Sequence, residues 1–271
     1  MPELPEVETT VRGLAPVLEG RRIASIELRR ADLRRPFPVD LRQRLTGAKV
    51  IDLSRRAKYG LIGTDRGDTM VFNRGMSGRW LIDPAVVRKH DHVLIETHEV
   101  SRLSLNDPRR FGSVDLLRTD SLEQSEPFAR MGPEPLGDDF DGLYLKQALR
   151  GRTAPIKALL LDQRLVAGLG NIYVCDALHV AGIAPGRGGG AISKGRLDRL
   201  AESIKTVLLE AIEAGGSSLR NYVRPDGELG YFSSKWRVYG REGEPCPLCS
   251  APVARRVDGG RSTFYCSKCQ R

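Results

Sequence analysis

No stretch of the 271 residues approaches the ~20 consecutive apolar side chains that a membrane span needs. The start, "MPELPEVETT", lacks the cationic region and apolar core of a signal peptide. Together these absences point to a soluble, cytoplasmic protein with no membrane partner. Cysteine is scarce: five in a chain of this length are too few for a disulfide scaffold. No internal repeat or low-complexity tract interrupts the sequence. With 40% hydrophobic and 28% charged residues it has an ordinary globular composition, and it is long enough for two domains with separate cores.

Positive charge is what the sequence has in excess. Lysine and arginine number 43 against 34 acids, a net +9 that points to a polyanionic partner. Charge alone leaves nucleic acid, an acidic membrane and an acidic protein open. The cysteines are also unevenly placed. Four lie in the tail as Cys246-Pro-Leu-Cys249 and Cys266-Ser-Lys-Cys269, with sixteen residues between the pairs. Two C-x2-C knuckles at that separation are a zinc signature. Each tight turn supplies two thiolates, and four thiolates close a tetrahedron with no open position. Such a site is structural, not catalytic, and one zinc ion is expected; paired disulfides are the alternative in an exported protein. Cys175 is left over and reads as a small buried hydrophobe.

Pro2 and Pro5 suit the first turn of a helix, Glu3, Glu6 and Glu8 favour the positive end of its dipole, and Leu4, Val7, Val11 and Leu14 follow at helical spacing. Behind that helix, "RRIASIELRR" and "AKVIDLSRR" alternate as half-buried strands do. "YGLIGTDRGDTMVFNRGMSGRWLID" predicts two or three more strands, and "HDHVLIETHEVSRLSLNDPRRFGSVDLLR" a hairpin and a following strand. Residues from about 20 to 120 thus read as a β-sandwich or barrel. The texture changes at "RMGPEPLGDDFDG", a Gly, Pro and Asp run that reads as an interdomain hinge. Beyond it "LYLKQALRG" and "APIKALLLDQRLVAG" carry helical spacing. "NIYVCDALHVAG" follows as a short helix and "SKGRLDRLAESIKTVLLEAIEAGG" as a long one stopped by two glycines. The expected fold class is α+β.

Several stretches offer chemistry. The loop around Gly168, Gly170 and Asn171 opens a helix, where backbone N–H groups can hold a phosphate; equally, the glycines end one helix and Asn171 caps the next. Beside a basic chain and a zinc knuckle, the phosphate clamp is the better reading. "NDPRRFG" sets Arg109, Arg110 and Phe111 just after a turn. They read either as solvated arginines with a core phenylalanine or as a wedge that unstacks base pairs. Met76, in the glycine-flanked "NRGMSG", is a second apolar probe, and Lys58 in "RRAKYG" sits on a basic edge fit for backbone phosphate.

The terminus has its own chemistry. Removal of Met1 before a small residue such as Pro2 leaves a secondary amine that titrates near ~8, with its protonated form disfavoured at a helix N-terminus. Such an amine attacking a sugar C1′ expels the base and leaves an iminium, which acidifies the C2′ protons and permits strand scission by elimination. Glu3, next to the nucleophile, is placed to move the proton that the step requires.

On these stretches the sequence resembles the formamidopyrimidine-DNA glycosylase family, bacterial enzymes that excise 8-oxoguanine and ring-opened purines. The likeness runs end to end through "MPELPEVET", "RRAKY", "GMSG", "KHDHV", "NDPRRFG", "GPEPL", "GLGNIY", "GYF", "VYGREGEPC" and "TFYCSKCQ". It implies a bifunctional glycosylase and AP lyase that flips the lesion out of the helix, since the reacting C1′ is otherwise out of reach. The architecture it implies is an N-terminal helix and β-sandwich domain over 1–131, a hinge at 132–142, a helix–two-turn–helix domain over 143–235 and a zinc finger over 236–271. Pro2 is then the Schiff-base nucleophile, Glu3 the general acid/base and Glu6 its support. Lys58 assists the first elimination and Arg261 the second. His90, Arg109, Arg152, Lys157 and Asn171 contact DNA, and Met76, Arg109 and Phe111 fill the gap left by the flipped base. The loop around 216–226 closes over that base. The implied partner is double-stranded DNA with oxidised purines or abasic sites, bound by a monomer. Asn73, Asp176, Arg220 and Arg152 depart from the residues usual in the family's motifs. Among rivals, the endonuclease VIII type begins closer to "PEGPE", and a non-catalytic zinc-finger protein would need neither Pro2 nor Glu3.

Overall fold

The N-terminal helix, α1 (Leu4–Leu18), starts behind Glu3. The Glu3 side chain accepts the Glu6 N–H, and the Glu6 carboxylate accepts the Glu3 N–H at 2.8 Å. This reciprocal box satisfies donors that the first helical turn leaves open. Leu4, Val7, Val11, Leu14 and Leu18 line the buried face, at the spacing the sequence shows. The computed structural model describes residues 2–99, 101–216 and 232–271. They form two compact units, one carried by residues 2–129 and 214–216 and the other by Arg130–Glu213 and Phe232–Arg271.

In the first unit, β1 (Ile23–Leu28), α2 (Leu41–Leu45), β2 (Val50–Arg56), β3 (Tyr59–Thr64), β4 (Asp68–Asn73), β5 (Arg79–Ile82), β6 (Asp91–Thr97), β7 (Arg102–Asn106) and β8 (Ser113–Arg118) follow α1. The strands make two antiparallel four-stranded sheets, ordered β1-β6-β7-β5 and β2-β3-β4-β8. One core joins them: Ile26, Val93 and Leu105 from the first sheet, Ile62, Phe72 and Val114 from the second, and Val11 and Leu14 from α1. Phe72 and Trp80 meet edge to face across the sheets with centroids 5.5 Å apart. Gly60 lets them do so, because a Cβ there would stand 2.1 Å from the Phe72 ring. The strands fall in the segments where the sequence predicts them; the short helix α2 has no counterpart in the sequence reading.

The second unit holds α3 (Gly142–Ala148), α4 (Ile156–Leu160), α5 (Asn171–Val180), α6 (Lys194–Glu213) and the hairpin β9 (Ala254–Asp258)–β10 (Arg261–Tyr265). Leu197, Leu200, Ala201, Ile204, Leu208 and Ala211 form the buried stripe of α6, and Gly215 and Gly216, both at positive φ, follow its end. The segment 132–142, read as a hinge, is bonded into this unit: Gly132 N–H donates to Gln163 O at 2.9 Å, and Ala167 N–H to Pro133 O at 3.1 Å.

The apolar spacing of residues 154–168 predicts one helix, but α4 is only five residues long. Asp162 ends it by accepting the Arg164 N–H at 3.0 Å in a local turn. Gln163 then holds the following loop. Its amide donates to Leu161 O at 3.2 Å and Leu169 O at 3.0 Å, and its carbonyl accepts Gly168 N–H at 2.9 Å. Leu165, Val166, Ala167 and Leu169 are buried from this loop, so their apolar spacing records burial without a helix. Among the described residues no helix is long and apolar enough to cross a membrane.

Candidate active site and zinc centre

Most of the residues singled out in the first half of the sequence converge on the first unit. Pro2 is half-buried at the start of α1, and Glu3 and Glu6 behind it are 3% and 2% exposed. Arg74, buried at 2% exposure, ties this helix to the loop bearing Met76. Its Nη1 donates to Glu6 O at 3.2 Å and Thr10 Oγ1 at 2.7 Å, and its Nε donates to Gly78 O at 2.8 Å. Glu8 adds a second tie, accepting from Arg55 on β2 and Arg12 on its own helix. Burial works against its charge, but the two guanidinia outweigh it and hold the Glu8 carboxyl below its ordinary range.

Lys58 sits in the β2–β3 turn, beside Ala57 at φ +54°. Its carbonyl accepts the Asn73 side-chain amide at 3.1 Å, while Asn73 Oδ1 accepts the Gly75 N–H at 2.8 Å. Asn73 thereby fastens the Lys58 turn to the Met76 loop. Met76 is 41% exposed and Phe111 44%, and the Arg109 guanidinium lies over the Phe111 ring at 4.6 Å. Exposed apolar tips of this size in glycine-flanked loops are what a wedge requires; a core reading of Phe111 does not survive its exposure.

What aligns these tips is Asp107, which is completely buried. One carboxylate oxygen accepts Ser77 Oγ–H at 2.5 Å and the other Gly112 N–H at 2.8 Å. Its N–H donates to His90 O at 2.9 Å, and Ser77 Oγ also accepts the Arg109 N–H at 3.2 Å. Gly75 completes the junction: a Cβ there would stand 2.3 Å from the Phe111 carbonyl carbon. The sequence marked Asp107 only as a turn residue; its role as the common anchor of His90, Met76, Arg109 and Phe111 needs the pairing of distant loops.

Arg152, Lys157, Asn171 and Arg261 lie in the second unit. Gly170, not Asn171, is the N-cap of α5, and Asn171 Nδ2 donates to Ser262 O at 2.9 Å, reaching the β9–β10 hairpin. Lys157 reaches the same place. Buried at 3% exposure, its ammonium donates to Thr263 Oγ1 at 2.6 Å and Ser262 O at 3.2 Å, and burial pushes its pKa down. Thr263 in turn donates to Asp258 at 2.7 Å. Lys157 therefore braces the hairpin from beneath, while Arg152 and Arg261 are exposed. Arg261 follows the Gly259–Gly260 turn, both glycines at positive φ as a tight hairpin turn requires. A cavity of about 630 Å³ opens between α4 and the hairpin, lined by Lys157, Leu161, Asp258 and Arg261 among others. The loop around 216–226 and Arg220 fall outside the described residues, apart from Gly216.

The four tail cysteines come together. Their sulfurs all lie within 4.8 Å of one another, with Cys246 and Cys269 3.9 Å apart and Cys249 and Cys266 3.5 Å apart. Zinc–sulfur bonds of about 2.3 Å in a tetrahedron place sulfurs about 3.8 Å apart, so the set fits zinc. The Cys249 hydrogen bond, then burial and the other thiols, push the Cys269 thiol up to about 12, and a cation among the sulfurs relieves that opposition. Two residues of α5 that the sequence did not single out for this centre support it. Asp176, fully buried, accepts N–H bonds from Arg237, Val238 and Tyr239 at 3.0–3.1 Å, and His179 Nε2 lies 3.3 Å from Cys246 Sγ.

The chain matches three family models in succession: the formamidopyrimidine-DNA glycosylase N-terminal domain over residues 1–114, the formamidopyrimidine-DNA glycosylase H2TH domain over 131–223, and the zinc finger found in FPG and IleRS over 243–271. It is 69% identical to a formamidopyrimidine-DNA glycosylase of Rhizorhabdus wittichii over the full length of both chains. Two solved Lactococcus lactis Fpg structures superpose on all of it and are themselves fully covered. A mutant in complex with Fapy-dG-containing DNA gives a TM-score of 0.91 at 35% identity, and a complex with abasic-site DNA gives 0.90 at 34%. Helix, paired antiparallel sheets, helical unit and four-cysteine zinc centre thus stand in the order those models expect, and the chain belongs to the formamidopyrimidine-DNA glycosylase family, DNA glycosylases with AP lyase activity.

Proposed function

We propose that this chain binds double-stranded DNA in the bacterial cytoplasm, excises 8-oxoguanine and formamidopyrimidines, and then cuts the strand by β,δ-elimination. The observation that carries this reading is the bonded junction in the first unit. Through Arg74, Asn73 and Asp107, the start of α1, the Lys58 turn and the exposed tips of Met76 and Phe111 form one connected surface. A wedge opens the duplex beside a nucleophile only if the two are held in register. We place the catalytic domain at 1–131, the connection at 132–142, the DNA-binding helices at 143–235 and the zinc finger at 236–271.

With Met1 removed, the Pro2 amine attacks C1′ of the flipped nucleotide and the base leaves with a proton managed by Glu3. Glu6 fixes the Glu3 backbone through the 2.8 Å bond. The resulting iminium acidifies C2′, and Lys58 assists the first elimination and Arg261 the second. Met76, Arg109 and Phe111 occupy the space left by the base. His90, Arg109, Arg152 and Asn171 hold the strand, while the buried Lys157 acts through the hairpin that it braces.

Borohydride trapping on a duplex with 8-oxoguanine opposite cytosine, followed by peptide mapping, tests the reading. A covalent adduct at Pro2 is expected; normal binding with no adduct rules it out. Gly75→Ala tests the junction. An added Cβ at φ +59° against the Phe111 carbonyl is expected to cost about 1–3 kcal/mol of stability and to slow lesion excision more than cleavage at a ready-made abasic site. Equal slowing of both reactions would remove the wedge role.

A further inference from the structure

The helix that opens with Asn171 also carries the zinc finger. Asn171, Cys175 and His179 fall one turn apart on α5, with Asp176 beside them. Asn171 holds the hairpin carbonyl of Ser262, Cys175 packs with Cys246 and Cys266, and Asp176 caps the backbone of residues 237–239. His179 completes the row. It is 1% exposed, and its Nε2 lies 3.3 Å from the sulfur of Cys246.

A zinc-bound thiolate has no proton to give, so that contact is an N–H donated by the imidazole to sulfur. The tautomer is thereby fixed, with the proton on Nε2. Nδ1 is left as a buried acceptor with no hydrogen-bond partner among the described residues. Cys246 is the ring's polar compensation, and Phe at this position would fill the same space without leaving an orphaned nitrogen. Four thiolates around a divalent cation carry a formal charge of about −2, here set in an apolar cluster with Val238, Val253 and Phe264. A donor aimed at one sulfur withdraws charge from it, lowers the repulsion among the ligands and fixes the sulfur's direction.

We propose that His179 is a positioning residue of the zinc centre: by donating Nε2–H to the Cys246 thiolate it sets how tightly this chain retains zinc and keys the knuckle to α5. The effect acts on the metal directly, so it is read on the metal. Full-length protein is loaded with zinc and challenged with the chromogenic chelator pyridylazoresorcinol, as parent, His179→Phe and His179→Gln. His179→Phe keeps the bulk and loses the donor; zinc affinity is expected to fall about tenfold. His179→Gln, which restores an N–H, is expected to recover part of that loss. In cobalt-substituted protein the sulfur-to-metal charge-transfer band of His179→Phe moves to longer wavelength, because the thiolate is more electron-rich, and returns towards the parent in His179→Gln. Unchanged retention and an unchanged band overturn the proposal. If His179→Phe fails to fold, the parent protein still decides: loaded with an NMR-active cadmium isotope, it should show the His179 Nε2 proton coupled to the metal through the N–H···S bond. A ring protonated at Nδ1 alone, or a proton without that coupling, overturns it equally.

Discussion

Protein that retains Met1 is expected to bind lesion-containing duplex as tightly as processed protein but to release no base and cut no strand. The nitrogen of Pro2 is then a tertiary amide whose lone pair is delocalised, and an amide does not attack C1′. The loss should be at least about a thousandfold, roughly 4 kcal/mol of barrier. Glu3→Gln makes a finer cut through the same site. A glutamine carbonyl still accepts the Glu6 N–H, so the start of α1 is preserved. What is lost is proton transfer, about 10²- to 10⁴-fold where a positioned carboxyl group is the acid or base. That loss should fall on base release. At an abasic site the base is already gone, and the amine condenses with an open aldehyde, so borohydride trapping there should survive in Glu3→Gln and vanish in the Met1-retaining chain. Single-turnover excision and trapping on the two duplexes, with anisotropy for binding, separate the cases. Equal loss on both duplexes in Glu3→Gln would take Glu3 out of base departure, and cleavage by Met1-retaining protein would take Pro2 out of the chemistry.

The parts of this site that were legible in the sequence are those whose signal is local. The start of α1 announces itself within the first eleven residues, through its prolines and acids and the spacing of Leu4, Val7 and Val11. The eight strands of the first unit are short apolar-rich runs set off by glycine and turn residues, and the cysteine knuckles carry their spacing with them. The misreadings have a common cause. Residues 165–169 are apolar because a loop is buried, and a buried loop and a buried helix have similar composition until the side chain of Gln163 is seen holding the turns. The resemblance counts Lys157 among the DNA contacts, and what only the fold reveals is that its ammonium donates to Ser262 and Thr263, more than a hundred residues away. Arg74 and Asp107 reveal nothing until α1, the Met76 loop and the 107–112 turn are seen to meet. His179 was hidden for the same reason, because its partner lies 67 positions further on.

Cys246→Ala is expected to have the second largest effect, and it acts by another route. Removing one of four ligands abolishes a site whose zinc binding is folding energy, about 10–16 kcal/mol in isolated finger peptides. It also removes the sulfur that His179 contacts. The buried cluster of Val238, Val253, Phe264 and Cys266 loses its centre, and the hairpin that carries Phe264 is left to the bonds from Lys157 and Asn171 to Thr263 and Ser262. The core of the first unit shares no residue with that cluster, so Pro2, Glu3 and the wedge loops should keep their geometry. The expected protein is metal-free, at least about tenfold weaker for duplex DNA, which is ~1.4 kcal/mol, and shallower in salt dependence by roughly one phosphate contact for each lost cation. It should still trap at an abasic site when DNA is saturating. Arg261 stands on the affected hairpin, so the second elimination should lag the first and the product of a single elimination should accumulate. Metal analysis, salt-dependent anisotropy and product sizing on one preparation read all of this together. A metal-free variant with parental affinity and both cuts intact would end the structural role of zinc. A variant that binds poorly but completes both eliminations at saturation would leave zinc its place in binding and remove Arg261 from the chemistry.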